Sequence, residues 1–190
     1  MGALDDGEMV EAVDAAAWRA WLDANHRTSR GAWLVRARPG SGLEFVAYED
    51  AIRQALCFGW IDGPVRSFDE QRGGLWFAPR RSSSGWAATN KARVVQLEAD
   101  GLLTEAGIRA IELAKQNGSW TVLDNAEALR EPDDLAAALD AVPTARSAWD
   151  AFPPSARKIG IASVDSARRP DTRAARITKV VADAAEGRRP

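Results

Sequence analysis

The chain is predicted to be an α+β protein: a small antiparallel sheet with helices over residues 14–120, then an all-helical region over residues 121–190. Three observations predict it. Short apolar runs punctuated by glycine and proline, the pattern of strands, are confined to residues 31–79. Apolar residues at helical spacing flank and follow those runs. From Trp120 onward strand signals vanish and short helical patterns replace them. Residues 1–13 read as a flexible acidic leader, and the 121–190 region as an extension packed on the core domain.

The elements follow in order. Asp14 can cap a helix reaching Ala24, with Trp18, Trp21 and Leu22 on one face. Gly31 opens a strand, Ala32 to Ala37, closed by Pro39-Gly40-Ser41-Gly42, and Leu43 to Val46 reads as its hairpin partner. Tyr48, Ala51, Ile52, Ala55 and Leu56 form the apolar stripe of the next helix, which Gly59 ends in a left-handed conformation. Trp60-Ile61 and Val65 to Phe68 flank Asp62-Gly63-Pro64, a turn signal, and Leu75 to Ala78 is a further strand. Ser84 is the expected N-cap of a helix from Gly85 to Ala99. Thr104 caps another that carries Ile108, Ile111 and Ala114 inward and stops at Gly118. Short helices follow around Asp133 to Leu139, Thr144 to Phe152 and from Ser155. Pro170 starts the last, lined by Ala174, Ile177, Val180, Val181 and Ala184.

Composition narrows the function. One cysteine, Cys57, excludes an internal disulfide and a cysteine-rich zinc site, and one histidine, His26, leaves no histidine cluster. No metal and no cofactor are expected. No apolar run approaches the roughly 20 residues of a membrane span, and the leader lacks a signal-peptide core, so the protein is expected in the cytoplasm. A net charge of -2 argues against nucleic acid as a general partner. The charge is uneven: residues 121–150 hold seven acidic and two basic side chains, residues 151–190 nine basic and four acidic. The basic tail is expected to complement the acidic stretch within one fold.

Chemistry concentrates between Leu56 and Asn90. Arg80 and Arg81 run into Ser82-Ser83-Ser84 and an expected helix start, where guanidinium groups, hydroxyls and unpaired N–H donors could hold phosphate or carboxylate. Trp60, Trp76 and Trp86 could form an aromatic wall, with Trp86 best placed to face a cleft and Asn90 one helical turn beyond it; the plainer reading is that they are core. Asp62 is the one acid–base candidate, and would need burial near Trp60; otherwise it simply nucleates its turn. Cys57 reads as a small buried hydrophobe and His26 as a helix-end residue.

These motifs resemble those of the YdeI/OmpD-associated, or bacteriocin-protection, family. The resemblance rests on Cys57-Phe58-Gly59-Trp60-Ile61-Asp62-Gly63, Pro79-Arg80-Arg81, Ser84, Trp86 and Asn90. It continues through Gly107, Ala114-Lys115, Gly118 and Trp120, and the tail from Pro154-Ser155 to Arg176-Ile177. Ala78, Gly85 and Ala87 depart from it by lacking side-chain polar groups. The resemblance implies stress or antimicrobial protection.

Three readings follow. The first is a non-catalytic protective protein that binds a small molecule or peptide, anionic or aromatic, in an aromatic, arginine-lined cleft of Trp60, Trp76, Arg80, Arg81, Ser84, Trp86 and Asn90. The second is an enzyme on an anionic substrate, with Arg80 and Arg81 as anchors and Asp62 as acid or base; a buried Asp62 beside Arg80 would favour it. The third is a nucleic-acid or protein adaptor using the basic C-terminal helix, favoured by a solvent-facing row of Arg168, Arg169, Arg173 and Arg176.

Overall fold

A computed structural model describes Leu4 and residues 7–190. The described residues fold as α+β, in two compact units: residues up to Ser84 with Asn90–Asn117, and Gly85–Thr89 with Gly118–Pro190.

The first unit is built on a four-stranded sheet of order β1-β2-β4-β3, with β1 Glu8–Val10, β2 Ala32–Ala37, β3 Trp60–Ser67 and β4 Arg72–Pro79. The sheet is mixed rather than purely antiparallel: β1 pairs with β2 in parallel, and β2–β4 and β3–β4 are antiparallel. β1 lies in the stretch read as a leader. Three residues are too few to show a period, but Met9 opposite Trp33 and Val10 opposite Leu34 give them a register. β1 also explains why Leu43 to Val46 is not a strand. Both edges of β2 are occupied, so the segment finds no ladder; Val46 N–H is held by the Ala12 carbonyl at 2.9 Å and Leu43 N–H by Ser41 Oγ at 3.3 Å.

Asp62-Gly63-Pro64 is not a turn between two strands. β3 runs through it with a bulge between Asp62 and Val65, where Pro64, lacking an N–H, is tolerated on an edge strand. The reversal comes at Asp69, whose Oδ1 accepts from the N–H groups of Gln71 and Arg72 at 2.9 and 2.7 Å.

Helix α1, Ala15–Asn25, starts where Asp14 accepts from Ala17 N–H at 2.8 Å. Its Trp18 is fully buried, stacks on Trp21, meets Phe77 at a tilt, and donates its indole N–H to the Ala51 carbonyl at 3.1 Å. Helix α2, Tyr48–Cys57, buries Ala51, Ile52, Ala55 and Leu56 but leaves the first residue of its predicted stripe, Tyr48, 45% exposed. Gly59 follows at φ +72°, where a Cβ would also press on the side chain of Ala110. Helix α3 is Ala88–Ala99 and α4 is Glu105–Asn117. α4 approaches the end of α2 so closely that a Cβ on Gly107 would lie 2.3 Å from the Cys57 carbonyl oxygen. Thr104, the expected cap, donates its hydroxyl to that same carbonyl at 2.6 Å. Ile111 and Ala114 are buried as expected, whereas Ile108 is 43% exposed.

The opposite face of the sheet carries Trp33, Trp76 and Phe68. Trp33 and Trp76 meet edge to face at 5.2 Å, and Trp33 donates its indole N–H to the Leu4 carbonyl at 2.9 Å.

The second unit is helical: α5 Asp124–Glu127, α6 Asp133–Asp140, α7 Pro143–Ala151, α8 Pro154–Asp165 and α9 Pro170–Ala185. Proline stands at the start of α7, α8 and α9, where its missing N–H leaves no helical bond unmade. Leu135, Leu139, Trp149, Ile161, Val164, Val180 and Ala184 form the core, with Ile177 and Val181 packed against it. Ala174, expected on that face, is exposed.

Candidate functional site

Three of the residues singled out in the sequence meet in the first unit, around an unforeseen tyrosine. Tyr48, the only tyrosine of the chain, sits at the exposed start of α2. Its hydroxyl donates to Asp62 Oδ2 across 3.4 Å, the long end of a hydrogen bond. The Arg36 guanidinium lies over its ring at 5.5 Å from the centroid. Beside it, Glu49 accepts two bonds from Arg93, at 2.8 and 2.7 Å, and Arg93 donates a third to Asn90 Oδ1 at 2.8 Å. Burial and the Asp62 carboxylate push the Tyr48 phenol above its ordinary value, so it remains a hydrogen-bond donor at neutral pH. Asp62 is half-buried, and its charge acts on Arg80 and Arg93. Burial draws the Arg80 guanidinium down to about 10, with Asp62 pulling the other way; it stays charged at neutral pH.

Tyr48, Glu49, Arg36 and Arg93 were not foreseen. Asn90 and Arg93 stand one turn apart on α3, which is legible, but their partners lie across the fold. The one available signal was a lone tyrosine placed on an otherwise apolar stripe.

The other candidates part company. Arg80 and Arg81 do not form a paired anchor: Arg80 is half-buried and its neighbour exposed. Ser84 is not a helix cap. Its N–H donates to the Arg81 carbonyl at 2.9 Å in a turn, and α3 begins only at Ala88, so the expected helix-end anion site is not formed there. The tryptophans do not make a wall. Trp60 stands opposite Pro79 on the face of Phe77, whereas Trp76, one residue from Phe77, is on the other face. Trp60 and Trp76 are 1% and 6% exposed. Trp86 belongs to the second unit, is 1% exposed and packs on Trp120 at 4.9 Å. It precedes α3, so the helical register expected to align it with Asn90 does not apply.

Trp60 does border one open feature, a depression of about 480 Å³ lined also by His26, Arg27, Phe58, Pro79 and Arg109. His26 ends α1, with Nδ1 2.9 Å from the Leu22 carbonyl oxygen. Cys57 is fully buried, and burial pushes its thiol up, as suits a packing residue.

Against known families, residues 10–110, more than half of the chain, match the model of a domain of unknown function (DUF8412). The chain belongs to this family. Residues 128–187 match the model described as bacteriocin-protection, YdeI or OmpD-associated. The resemblance read from the motifs therefore has its match in the tail, whereas Cys57 to Asn90 fall within the DUF8412 span. Comparisons with curated proteins and with solved structures return no match.

The Tyr48–Asp62 cluster thus lies in the DUF8412 part, and the YdeI/OmpD-associated part carries a different network. Glu131 accepts from Arg146 at 2.8 and 2.9 Å, from the Trp149 indole at 2.7 Å and from Arg157 at 3.3 Å. These bonds, Arg146 first, hold its carboxyl below the usual range. Arg173 grips Asp134 at 2.6 and 2.8 Å and reaches Asp165 at 3.3 Å. Arg176 donates to the Ser163 carbonyl at 2.6 Å. Arg157, Lys158 and Arg173 of the basic tail are paired with Glu131, Glu127 and Asp134 of the acidic stretch. Arg168 and Arg169 are exposed, but Arg173 and Arg176 are engaged, so no continuous solvent-facing row exists.

Proposed function

We propose that the protein, which carries a bacteriocin-protection, YdeI-type region, protects its cell by binding a small molecule or peptide on the first unit without transforming it. One observation carries this reading: Arg36, Tyr48 and Asp62 converge on one partly exposed surface, offering a guanidinium, a hydroxyl and a carboxylate to one ligand. The same geometry counts against the enzyme reading, although Asp62 lies within the influence of Arg80. Asp62 is partnered by the Tyr48 hydroxyl rather than by a second carboxylate or an imidazole, the usual acid–base pairings, and Arg93 is committed to Glu49. The adaptor reading loses the arginines that α9 spends inside its own unit. A cytoplasmic setting accords with the single buried cysteine, which has no disulfide partner in the chain.

The test compares bacterial survival under bacteriocin challenge with the wild type or the double variant Tyr48→Phe/Asp62→Asn expressed to equal levels. Loss of protection in the variant, with its melting temperature kept, is the expected result; unchanged protection moves the function elsewhere. Mass spectrometry of the challenge peptide after incubation with purified protein separates the other rival. Recovery at unchanged mass fits binding, and a shifted mass with turnover establishes an enzyme.

A further inference from the structure

The depression beside Trp60 belongs to none of the readings above. It lies in the first unit, where element ends meet: His26 closes α1, Phe58 follows α2, Trp60 opens β3, Pro79 ends β4, and the first turn of α4 forms a rim. Its volume of about 480 Å³ falls in the range of roughly 300–1,000 Å³ usual for small-molecule sites. Roughly 15 Å of helix separates Phe58 from Tyr48, and no lining residue belongs to the Tyr48 cluster.

The polar groups of the lining are not equivalent. Glu105 and Arg109 satisfy each other at 2.6 Å. Arg27, exposed just past the end of α1, forms no ion pair among the described residues. His26 is more telling. Its Nδ1 lies 2.9 Å from the Leu22 carbonyl oxygen and 3.2 Å from that of Asp23. A carbonyl only accepts, so the ring proton sits on Nδ1, and the neutral imidazole carries its lone pair on Nε2. Nε2 is on the side of the ring turned away from the helix, and among the described residues it has no partner. The Phe58 ring, with its centroid 5.0 Å from that of the imidazole, backs it. The depression thus offers an oriented acceptor and, at the next residue, a forked cation whose charge is not cancelled. The rest of the lining is apolar: Pro79, Ala106 and the edges of the buried Phe58 and Trp60.

A carboxylate alone would suit Arg27 but bring nothing to a lone pair on Nε2. A hydroxyl alone would suit Nε2 and leave the guanidinium unused. We propose that the depression binds a small 2-hydroxycarboxylate with an apolar body. Arg27 takes the carboxylate in its fork, His26 Nε2 accepts from the hydroxyl, and the body lies against Pro79 and Ala106. The two polar groups of such an acid stand on adjacent carbons, so one compact molecule meets both neighbouring residues. A 2-amino acid, with an ammonium in place of the hydroxyl, is the rival ligand.

The experiment is calorimetric titration of the full chain in mildly alkaline chloride buffer with sodium mandelate, with phenylacetate, which lacks the hydroxyl, and with phenylglycine, which carries the ammonium. Mandelate should bind saturably, near one per chain, and phenylacetate about five-fold more weakly, the scale of one neutral hydrogen bond. Arg27→Gln should weaken both acids about ten-fold, as loss of a charge-assisted contact does. His26→Phe should weaken mandelate to the level of phenylacetate and leave phenylacetate unchanged. Arg38→Gln, an exposed arginine bonded near Ser67 at the other end of β3, should change nothing. Thermal melts confirm that each variant is folded. His26 is the only histidine of the chain, so nitrogen NMR of the wild-type imidazole reads the contact without any variant at that position. Mandelate, but not phenylacetate, should shift the Nε2 signal. No saturable binding, equal affinity for mandelate and phenylacetate, or an Nε2 signal that mandelate leaves in place overturns the proposal. Tighter binding of phenylglycine than of mandelate overturns the hydroxy-acid assignment in favour of the amino acid.

Discussion

In the helical unit Arg146, Arg157 and Arg173 each meet a carboxylate within 3.3 Å, whereas in the sheet unit Arg36 and Arg66 lie against the faces of Tyr48 and Trp33. The side chains are the same. What differs is whether the charge has been cancelled. A cancelled guanidinium is mortar: Glu131 ties α7 and α8 to the loop before α6 through Arg146, Trp149 and Arg157. An oriented but uncancelled one retains its capacity for an outside anion. The contrast suggests that arginine-rich segments are better sorted by their partners than by their number.

The largest effects expected from breaking this comparison lie in the cores. Trp149 is fully buried and hydrogen-bonded, so Trp149→Ala should cost about 3–5 kcal/mol in urea unfolding. Trp60→Ala and Trp86→Ala, at positions both 1% exposed, should cost a comparable amount. A loss under about 1 kcal/mol for Trp86→Ala would return that residue to a surface role.

An intermediate effect tests the mortar. Glu131→Gln should lose about 2 kcal/mol at neutral pH, less than the ~3–5 kcal/mol of a fully buried pair because Arg146 keeps Asp150 at 2.8 Å. The pH dependence has a definite sign. The folded-state pKa of Glu131 is lowered from 4.5, so its stabilisation is complete above that value and is lost as pH falls through the folded-state value. Wild type and variant should therefore converge in acid; a gap that stays constant down to acid pH would show that the carboxylate charge is not what matters.

The smallest effect sharpens the other side. Arg36→Gln and Arg66→Gln should each change stability by at most about 1 kcal/mol, the scale of an exposed cation–π contact. A loss as large as that of Glu131→Gln would make these arginines structural too, and the contrast between the units would fail.

What could be read in advance divides along the same physical line. Local rules found α1 from Asp14 and its tryptophan spacing, the end of α2 from Gly59, and α9 from Pro170, because caps and periods are written within a few residues. β1 escaped because three residues in an acidic stretch carry no period, and its presence displaced Leu43 to Val46 from the sheet. Ser84 has every attribute of an N-cap, yet Trp86 is buried against Trp120, and the chain does not become helical until Ala88. At the candidate site, Asp62, Arg80 and Asn90 were legible as chemistry-bearing types. Their assembly was not, since Tyr48 stands 14 residues from Asp62 and Glu49 stands 44 from Arg93. Contacts of that span are decided by packing, which no local pattern encodes.

The bulge in β3 has a bearing on how this protein behaves in a crowded solution. β3 is an outer strand, and an outer strand ordinarily exposes a row of free N–H and C=O groups that can template another molecule. Pro64 removes one donor from that row, and the two-residue bulge at Gly63-Pro64 throws the remainder out of step. A neighbouring chain that begins to zip onto Trp60–Asp62 must stop before Val65. The irregularity therefore breaks the regular template that fibre growth along this edge would need, next to the exposed Val65.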